Sequence, residues 1–467
     1  MASDESESDS RDSEDIPNAN PWLPVYENQP ERLLYRFTPA TLSGTLPAPD
    51  AHPSEYFYLF MTPSLLQSIV DQTNIYASQY ISANRSTAKP RSRNWSQDTP
   101  AFFRIPRDRF WLILKFLHLN NNQNDTKVDP LFKVYPVLES LNKYFLKYYI
   151  PDRNLSIDES LVKQKNRTRK RQYIPKSHAK FGIKHWVLCE AQSGYTLQFD
   201  IYAGKADSTP SSSKGLAFDV VFRLVNNANL QDKGYHIICD NFYTSVDLAL
   251  DLYARRTYLT GTMRINRRSL PSSIRSKKLQ PSEKLYRFRD PVLLLRWREK
   301  CSQKKPVILL STKMHASSDE VTTASGRSVT MPAMVQEYNK GMGGVDLSDQ
   351  MLNTYIDERR SLKWWKKVFF SMVFRAMINS YIIYKKNCPN PIDRFHFHIE
   401  IVEALIMMAG NHRHPPFHVL QLQSIAWRDC LRERSKILKR RKKTRYHCIV
   451  CKKGVCPGEC WEQHVNS

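Results

Sequence analysis

Acidic residues in three separate segments of this chain have the surroundings of a carboxylate metal site. Asp240 follows the apolar run 235–239, which is typical of a strand that is buried on both faces. Asp158 lies within a second strand pattern, at 154–162, and Asp346 opens a helix pattern after the glycine-rich turn 341–344. Asp349 follows three residues later and would lie on the same helical face as Asp346.

Buried carboxylates of this kind favour metal chemistry, because an unpaired carboxylate loses its hydration or takes up a proton. Three carboxylates suit Mg²⁺ or Mn²⁺, which prefer oxygen ligands. Two such ions about 3.5–4 Å apart can hold the attacking and leaving oxygens of a phosphoryl transfer. If folding brings Asp158, Asp240 and Asp346 together, the sequence predicts a two-ion site. The alternative is that each is an ordinary surface or helix-capping residue.

The elements that would position these acids form a mixed pattern. Three strand patterns come first and are followed by helices that alternate with strands, which indicates a mixed α/β sheet. Helical patterns flank this segment on both sides, and residues 265–335 have the pattern of an insertion with short strands, such as 306–311. The predicted core elements are strands at 154–162, 182–191, 195–203, 235–241 and 258–264, with helices at 216–228 and 245–256.

The charge of the chain points to a polyanionic partner. The 467 residues leave room for roughly two to four domains. The net charge is +25, residues 1–16 contribute −6, and the remainder therefore carries +31. A body this basic favours nucleic acid. The acidic N-terminus has no secretory-signal pattern and the most apolar stretch, 368–384, is interrupted by Arg375, so we expect no membrane partner. We also expect no small-molecule substrate.

Basic and aromatic residues near the predicted site form a candidate DNA surface. The segment 163–184 contains no acid and directly follows the Asp158 strand, which favours phosphate contacts. Trp364 and Trp365 could stack on an extruded base, although helix packing is the alternative for one of them. The basic residues of the segment are Lys163, Lys165, Arg167, Arg169, Lys170, Arg171, Lys176, Lys180 and Lys184.

Two further patterns occupy the C-terminal region of the chain. Eight of the thirteen residues 431–443 are Lys or Arg, which is typical of a nuclear import signal or of DNA-backbone contacts. The run ends in Lys439, Arg440, Arg441, Lys442 and Lys443. A cysteine cluster then has the spacing of a zinc site in a reducing compartment, and the sequence leaves open which four ligands are used. The candidate ligands are Cys448, Cys451, Cys456, Cys460 and His464.

Together these motifs resemble piggyBac-type transposases or their domesticated relatives. The resemblance covers roughly residues 31–464 and depends on the order of several motifs. They are LSIDE at 155–159, YIPK at 173–176, KFGIK at 180–184, CDNFYTS at 239–245, GTMR at 261–264 and KGMGGVDLSDQM at 340–351.

The resemblance implies a ribonuclease-H-like catalytic core with an insertion. A helical DNA-binding and dimerisation domain, assembled from two segments, would flank the core, and a small cysteine-rich zinc domain would end the chain. By motif position, Asp158, Asp240 and Asp346 would be the catalytic, magnesium-binding triad, with Asp349 in support and Arg264 contacting DNA. The implied division is a disordered acidic tail at 1–30, a first helical segment at 31–150, a first core segment at 151–264, the insertion at 265–335, a second core segment at 336–370, a second helical segment at 371–430, a basic linker at 431–445 and the zinc domain at 446–467.

The activity implied is cut-and-paste DNA transposition in the nucleus. A nick at the transposon end would free a 3′-OH, which attacks the opposite strand and forms a DNA hairpin. The hairpin is then opened, and the 3′-OH attacks target DNA at a TTAA sequence. The partners would be double-stranded DNA and a second copy of the chain, with two Mg²⁺ or Mn²⁺ per site. The family's cysteine-rich domain usually carries an additional cysteine pair just upstream, whereas here a single cysteine, Cys430, stands eighteen residues before Cys448, so one zinc ion is expected in place of two. The alternative function is a domesticated DNA- or chromatin-binding protein without catalytic activity.

Overall fold

A computed structural model describes residues 21–27, 33–39, 41–83, 107–126, 128–165, 168, 170–174, 180–204, 212–267, 269–299, 305–322, 326, 328–355, 361–408, 428–429 and 443–444. The chain divides into two compact units, 1–406 and 407–467. The described strands of the second unit are β13 (Arg428–Asp429) and β14 (Lys443–Thr444), which pair with each other in antiparallel orientation.

The first unit is built on a ten-stranded sheet with helices packed against it. The sheet order is β1-β8-β9-β10-β7-β6-β2-β4-β3, and β5 pairs with β4. Its strands are β1 (Leu23–Val25), β2 (Asn154–Lys163), β3 (Arg171–Tyr173), β4 (Phe181–Glu190), β5 (Thr196–Ile201), β6 (His236–Cys239), β7 (Tyr258–Thr262), β8 (Lys284–Arg289), β9 (Val292–Trp297) and β10 (Val307–Ser311). A separate hairpin joins β11 (Ser318–Thr322) to β12 (Ser328–Pro332).

The helices precede, alternate with and follow the strands of the sheet along the chain. They are α1 (Pro53–Tyr58), α2 (Pro63–Ala83), α3 (Arg107–Phe116), α4 (Tyr135–Lys147), α5 (Leu216–Asn227), α6 (Val246–Ala254), α7 (Ser272–Ser276), α8 (Ala333–Gly341), α9 (Gly344–Tyr355), α10 (Trp364–Asn387) and α11 (Arg394–Met408). Within the described residues we find no helix with the length and apolar character that a bilayer span needs.

The central strands reproduce the predicted mixed pattern. β2, β4 and β5 form an antiparallel group, and β6 and β7 continue the sheet on the other side of β2 in parallel orientation. α5 precedes β6 and α6 precedes β7, which gives the expected alternation of helix and strand. The predicted bounds differ from the observed ones by a few residues at most. The continuous apolar run before Asp240 forms a fully buried strand, as a centrally placed parallel strand requires.

The segment 265–335 extends the same sheet. β10 pairs with β7 and with β9, so the insertion strands add to the edge of the central sheet by backbone hydrogen bonds. A second hydrophobic cluster covers these added strands, and it includes Tyr286, Leu293, Leu295, Trp297, Leu309 and Met334.

Residues 23–25 correct the prediction of a disordered tail at 1–30. They form β1, which pairs with β8 at the end of the sheet. The sequence of this segment has no alternating pattern and so gives no local strand signal. Its order comes from β8, which supplies the backbone hydrogen-bond partners.

The helices before and after the core pack against each other. The rings of Tyr56 on α1 and Tyr384 on α10 lie 5.3 Å apart. The Asn387 amide nitrogen donates to the Tyr56 hydroxyl at 2.7 Å. These contacts join sequence segments that are more than three hundred residues apart. That the two helical segments form one DNA-binding and dimerisation domain stays a prediction.

Candidate active site

Asp158 and Asp240 lie side by side on neighbouring parallel strands. The register pairs Ile157 with Cys239, so the two acids occupy the next equivalent position on β2 and immediately after β6. Residues in equivalent register positions face the same side of a sheet, and neighbouring strands are about 4.8 Å apart. The sheet itself therefore brings together two of the predicted acids.

The surroundings of both acids disfavour their charged forms. Burial, together with the negative charges of Glu159 and Asp240, raises the pKa of Asp158 to about 8. Burial and the charge of Glu159 also raise the pKa of Asp240, against the opposing effect of the Phe242 N–H, which donates to Asp240 Oδ1 at 2.8 Å. A cation at this position would remove the repulsion between the two carboxylates.

A third acid at the same place, Glu159, already has a cationic partner. Lys184 Nζ lies 2.9 Å from Glu159 Oε1, and both side chains are largely buried. Lys184 also lies 4.9 Å from the centroid of the Phe242 ring. The phosphate contact predicted for Lys184 stays a prediction. In this structure its charge is paired with Glu159, because β2 supplies the acid that the segment 163–184 lacks.

The glycine-rich turn between α8 and α9 packs directly on the two strands that carry the acids. A Cβ on Gly341 would collide with Ile238 on β6. A Cβ on Gly344 would collide with Ser156 Oγ on β2 and would approach the Glu190 carbonyl oxygen to 2.7 Å. The close approach of this turn requires glycine at both positions. It places the first turn of α9 over β2.

Asp346 lies in that first turn and is exposed. Among the residues that the structure describes, no three His, Cys, Asp or Glu side chains are grouped so that they could hold a metal ion. The predicted three-carboxylate group is therefore not formed here, although Asp158 and Asp240 are adjacent. The physical reason is that sheet register fixes those two acids, whereas a hydrated Asp346 gains nothing by approaching two like charges.

Asp349 is turned into the protein, away from solvent-exposed Asp346. Its Oδ1 accepts a hydrogen bond from Ser160 Oγ at 2.7 Å and lies 3.5 Å from Arg375 Nη2. Burial raises the pKa of Asp349, and the Arg375 charge acts in the opposite direction. Asp349 thus belongs to a polar contact between α9, β2 and α10.

The described residues of the predicted DNA surface have mixed surroundings. Lys165 and Lys180 are exposed, and Arg264 is exposed while its Nε donates to Asn241 Oδ1 at 3.0 Å. Lys163 is half-buried. Arg171 donates to the Lys165 carbonyl oxygen at 2.8 Å and lies 4.9 Å from the Phe181 ring centroid.

The two tryptophans at the start of α10 are in different environments. Trp364 is half-buried, and Lys170 Nζ lies 5.4 Å from its ring centroid. Trp365 is 5% exposed, and its ring centroid is 5.0 Å from that of His118. Helix packing therefore replaces the base-stacking role predicted for Trp365, since a ring enclosed in the core has no free face.

Several predicted residues lie outside the described stretches of the chain. They are Arg167, Arg169 and Lys176 of the basic segment, the zinc ligands Cys448, Cys451, Cys456, Cys460 and His464, and Lys439, Arg440, Arg441 and Lys442 of the import signal. Lys443 is described through its backbone in β14.

The donor chemistry of Asp158 and Asp240 fits a hard divalent cation. Mg²⁺ is commonly held by one or two carboxylates together with waters and substrate phosphates. Two adjacent, half-buried carboxylates with raised pKa values provide that donor set.

Sequence reasoning missed two residues that shape this site. Glu159 was visible as an acid next to Asp158, but its pairing with Lys184 depends on the β2–β4 register. Arg375 was visible only as a charge inside the apolar stretch 368–384, and its contacts with β2, β5 and α9 come from the tertiary fold.

Comparison with known proteins identifies the class to which this fold and site belong. Residues 86–381, more than half of the chain, match the family model described as Transposase IS4. The chain therefore belongs to this transposase family.

The relatives and the structural match confirm the resemblance to piggyBac-type proteins. Human PiggyBac transposable element-derived protein 3 is 26% identical over 401 residues, which are 78% of this chain and 66% of the relative. Human PiggyBac transposable element-derived protein 2 is 26% identical over 382 residues, which are 73% of this chain and 63% of the relative. The chain thus spans about two thirds of the length of these relatives.

The fold resembles that of a piggyBac transposase solved by cryo-EM as a synaptic complex with hairpin DNA. The TM-score is 0.67 at 23% identity, and the match covers 87% of this chain and 95% of that chain.

Proposed function

We propose that this protein is a cut-and-paste DNA transposase of piggyBac type that excises DNA and integrates it at TTAA sites by metal-dependent phosphoryl transfer. The observation that carries the proposal is the adjacency of Asp158 and Asp240 on β2 and after β6, where burial and like charge raise both pKa values. Keeping two neighbouring carboxylates ionised costs free energy. On a fold shared with a transposase, such a pair is a candidate catalytic site.

In this proposal the central strands form a ribonuclease-H-like core. Asp158 and Asp240 would hold Mg²⁺ or Mn²⁺, and Asp346, which is exposed in the first turn of α9, would be the third carboxylate of the site. Two ions, when bound, would lower the pKa of a water and offset charge on the scissile phosphate. The fixed strands orient the carboxylates, and the Glu159–Lys184 pair keeps a further negative charge balanced beside them.

Exposed cations on the strands of the site and beside it would supply the DNA contacts. Arg264 is exposed and donates to Asn241, the residue after Asp240. Lys165 and Lys180 are exposed at the far end of the β2–β4 pair, about 23 Å from Asp158 at 3.3 Å per residue. Trp364, with Lys170 against its ring, is the candidate for stacking on an extruded base. The cations would bind the backbone phosphates of the transposon end, and the Trp364 ring would position a base.

Further elements of the proposal concern the C-terminal segment and assembly. The cysteine cluster 446–467 would bind one zinc ion and recognise the transposon end, and 439–443 would direct nuclear import. The two flanking helical segments would bind double-stranded DNA and form a homodimer. The hairpin DNA in the complex of the structural match supports the DNA partner.

The test is strand cleavage of DNA that carries the flanking terminal repeats from the source genome, measured in Mg²⁺. Asp158→Asn and Asp240→Asn remove charge with little change of shape. We expect each to lower the cleavage rate by at least about a thousandfold, as the loss of a principal catalytic group does. Affinity for the same DNA, measured by fluorescence anisotropy, should remain within about twofold, since phosphate contacts dominate it.

Asp200→Asn is the matched control, because Asp200 lies on β5 in an ion pair with Arg223. It removes one carboxylate from the same sheet and should leave cleavage near the original rate. Cleavage by Asp158→Asn and Asp240→Asn at the original rate would overturn the assignment.

The second candidate function is a domesticated DNA-binding protein without cleavage activity. The exposure of Asp346 and the lack of a three-ligand group in the described residues favour it. It predicts that the unaltered chain binds DNA but does not cut terminal-repeat DNA in either Mg²⁺ or Mn²⁺.

A further inference from the structure

A fully buried arginine lies at the junction of α10, α9 and the sheet. Arg375 is 1% exposed. Its Nη1 donates to Thr196 Oγ1 on β5 at 3.0 Å and to Ser348 Oγ on α9 at 3.1 Å. Its Nη2 donates to Ser160 Oγ on β2 at 3.2 Å. One guanidinium group therefore connects three elements that are distant in sequence.

Asp349 balances the charge of this arginine. Its Oδ1 lies 3.5 Å from Arg375 Nη2 and also accepts from Ser160 Oγ at 2.7 Å. The neighbouring His185 is neutral near pH 7, because burial and the Arg375 charge lower its pKa to about 3. A buried guanidinium is stable only when it is paired and hydrogen-bonded, so the geometry of these partners is tightly constrained.

The partners of Arg375 are close in sequence to two of the candidate catalytic acids. Ser348 and Asp349 lie within one helical turn of Asp346, and Ser160 lies two residues after Asp158. The same guanidinium therefore fixes the N-terminal half of α9 relative to the strand that carries Asp158. Gly344, packed on Ser156, provides a second contact between α9 and β2 at the helix start.

We propose that Arg375 is a positioning residue that locks α9 onto β2 and β5, and that Asp349 is the anionic half of this lock and not a ligand of the catalytic ions. The orientation of Asp346 relative to Asp158 would depend on the lock. This consequence for catalysis rests on the proposed function, whereas the lock itself does not.

The experiment compares Arg375→Met with Asn379→Ala in the full chain. Asn379 lies one turn further along α10 and exchanges two hydrogen bonds with the Thr196 backbone, at 3.0 and 2.8 Å, so these bonds join α10 to β5 and not to α9. Both variants remove a buried polar group and should lower the melting temperature. Only Arg375→Met should speed amide hydrogen exchange in residues 344–352, which would establish the lock.

Two milder variants keep the test decisive if Arg375→Met does not fold. Ser348→Ala removes one bond between Arg375 and α9 and should speed exchange in 344–352 by a smaller factor. Arg375→Lys keeps the charge and should recover some of the protection. Unchanged exchange in 344–352 for both Ser348→Ala and Arg375→Met, or equal effects of Arg375→Met and Asn379→Ala, would overturn the lock.

Calorimetric titration with Mn²⁺ tests the link to the site without relying on turnover. Supporting groups of a metal site typically contribute about 10–100-fold in affinity. We expect Arg375→Met to weaken the Mn²⁺ binding that Asp158→Asn removes by about tenfold, and Asn379→Ala to leave it within about twofold. Equal affinities for Arg375→Met and the unaltered chain would reject the positioning role. If the unaltered chain shows no Asp158-dependent Mn²⁺ binding, the proposed function fails, while hydrogen exchange still decides whether the lock exists.

Discussion

At the scale of single residues, adjacent acids on one strand have different partners. Asp158 faces Asp240 across the parallel register, whereas Glu159 is paired with Lys184 on the antiparallel neighbour β4. The Glu159 charge nevertheless raises the pKa of both other acids. The Lys184 cation therefore offsets the charge of the acid that acts on both Asp158 and Asp240.

Replacing Lys184 should destabilise the protein more than replacing an exposed lysine. Lys184→Met leaves Glu159 buried and unpaired, and we expect the free energy of unfolding in urea to fall by about 1.5–3 kcal/mol. The double variant Lys184→Met/Glu159→Gln should recover most of the loss, because the unpaired charge is gone.

Lys277→Met provides the comparison. Lys277 and Glu283 form a 2.7 Å ion pair at the surface, where such pairs contribute less than about 1 kcal/mol. Equal losses of unfolding free energy for Lys184→Met and Lys277→Met would mean that the Glu159–Lys184 pair contributes little to stability.

At the scale of elements, the turn between α8 and α9 decides where the third acid lies. Gly341 contacts β6 and Gly344 contacts β2, so the turn bridges the two strands that carry Asp240 and Asp158. Side chains at these two positions would push α9 away from the sheet.

Gly344→Ala should therefore reduce cleavage and lower the melting temperature, because the added methyl group meets Ser156 Oγ and the Glu190 backbone. An overpacked contact of this kind costs about 1–3 kcal/mol. Gly343→Ala is the matched change one residue away, where the methyl group would have no neighbour within 4 Å. Differential scanning calorimetry and the terminal-repeat cleavage assay should separate the two variants, and identical behaviour would contradict the close approach of α9 to β2.

At the scale of the whole molecule, three buried histidines and the half-buried His398 make the fold sensitive to acid. Burial is the main cause of a lowered pKa in each of them. The values are about 4 for His118, about 3 for His185, about 4 for His236 and about 4 for His398. The histidines of the unfolded chain take up protons near pH 6.5, whereas those of the folded chain take them up only near pH 3 to 4. Stability should therefore decline as pH falls from 6.5 towards 4.

Asp158 acts in the opposite direction, because its raised pKa of about 8 lets the folded state bind a proton more readily than the unfolded state. Its contribution to stability declines as pH rises from 3.8 towards 8. The histidine effect is thus best measured in the Asp158→Asn background. His398→Phe keeps a ring against Tyr355, whose centroid lies 5.2 Å from that of His398.

In that background we expect His398→Phe to reduce the loss of unfolding free energy between pH 6.5 and pH 5 by up to about 2 kcal/mol. Urea unfolding at the two pH values measures the difference. An unchanged pH dependence would show that His398 is protonated in the folded protein.

The sequence by itself determined the strands and helices of the core and the two acids, Asp158 and Asp240, that the sheet brings together. An apolar run that ends in Asp240, and a strand pattern that contains Asp158, carry a local periodic signal, because burial of one or both faces dictates which residues alternate. The order of strands and helices then placed both acids in a mixed sheet. The transposase family followed from the order of the motifs.

Only the tertiary structure decided which charges are paired and which side chains are available. The pairing of Lys184 with Glu159, the enclosure of Trp365 and the contacts of Arg375 depend on strand register and helix packing between segments far apart in sequence. The same holds for the exposed position of Asp346 and for the joining of β8, β9 and β10 to the central sheet. Residue type and spacing carry no local record of such contacts, because each arises from surfaces that meet only after the chain has folded.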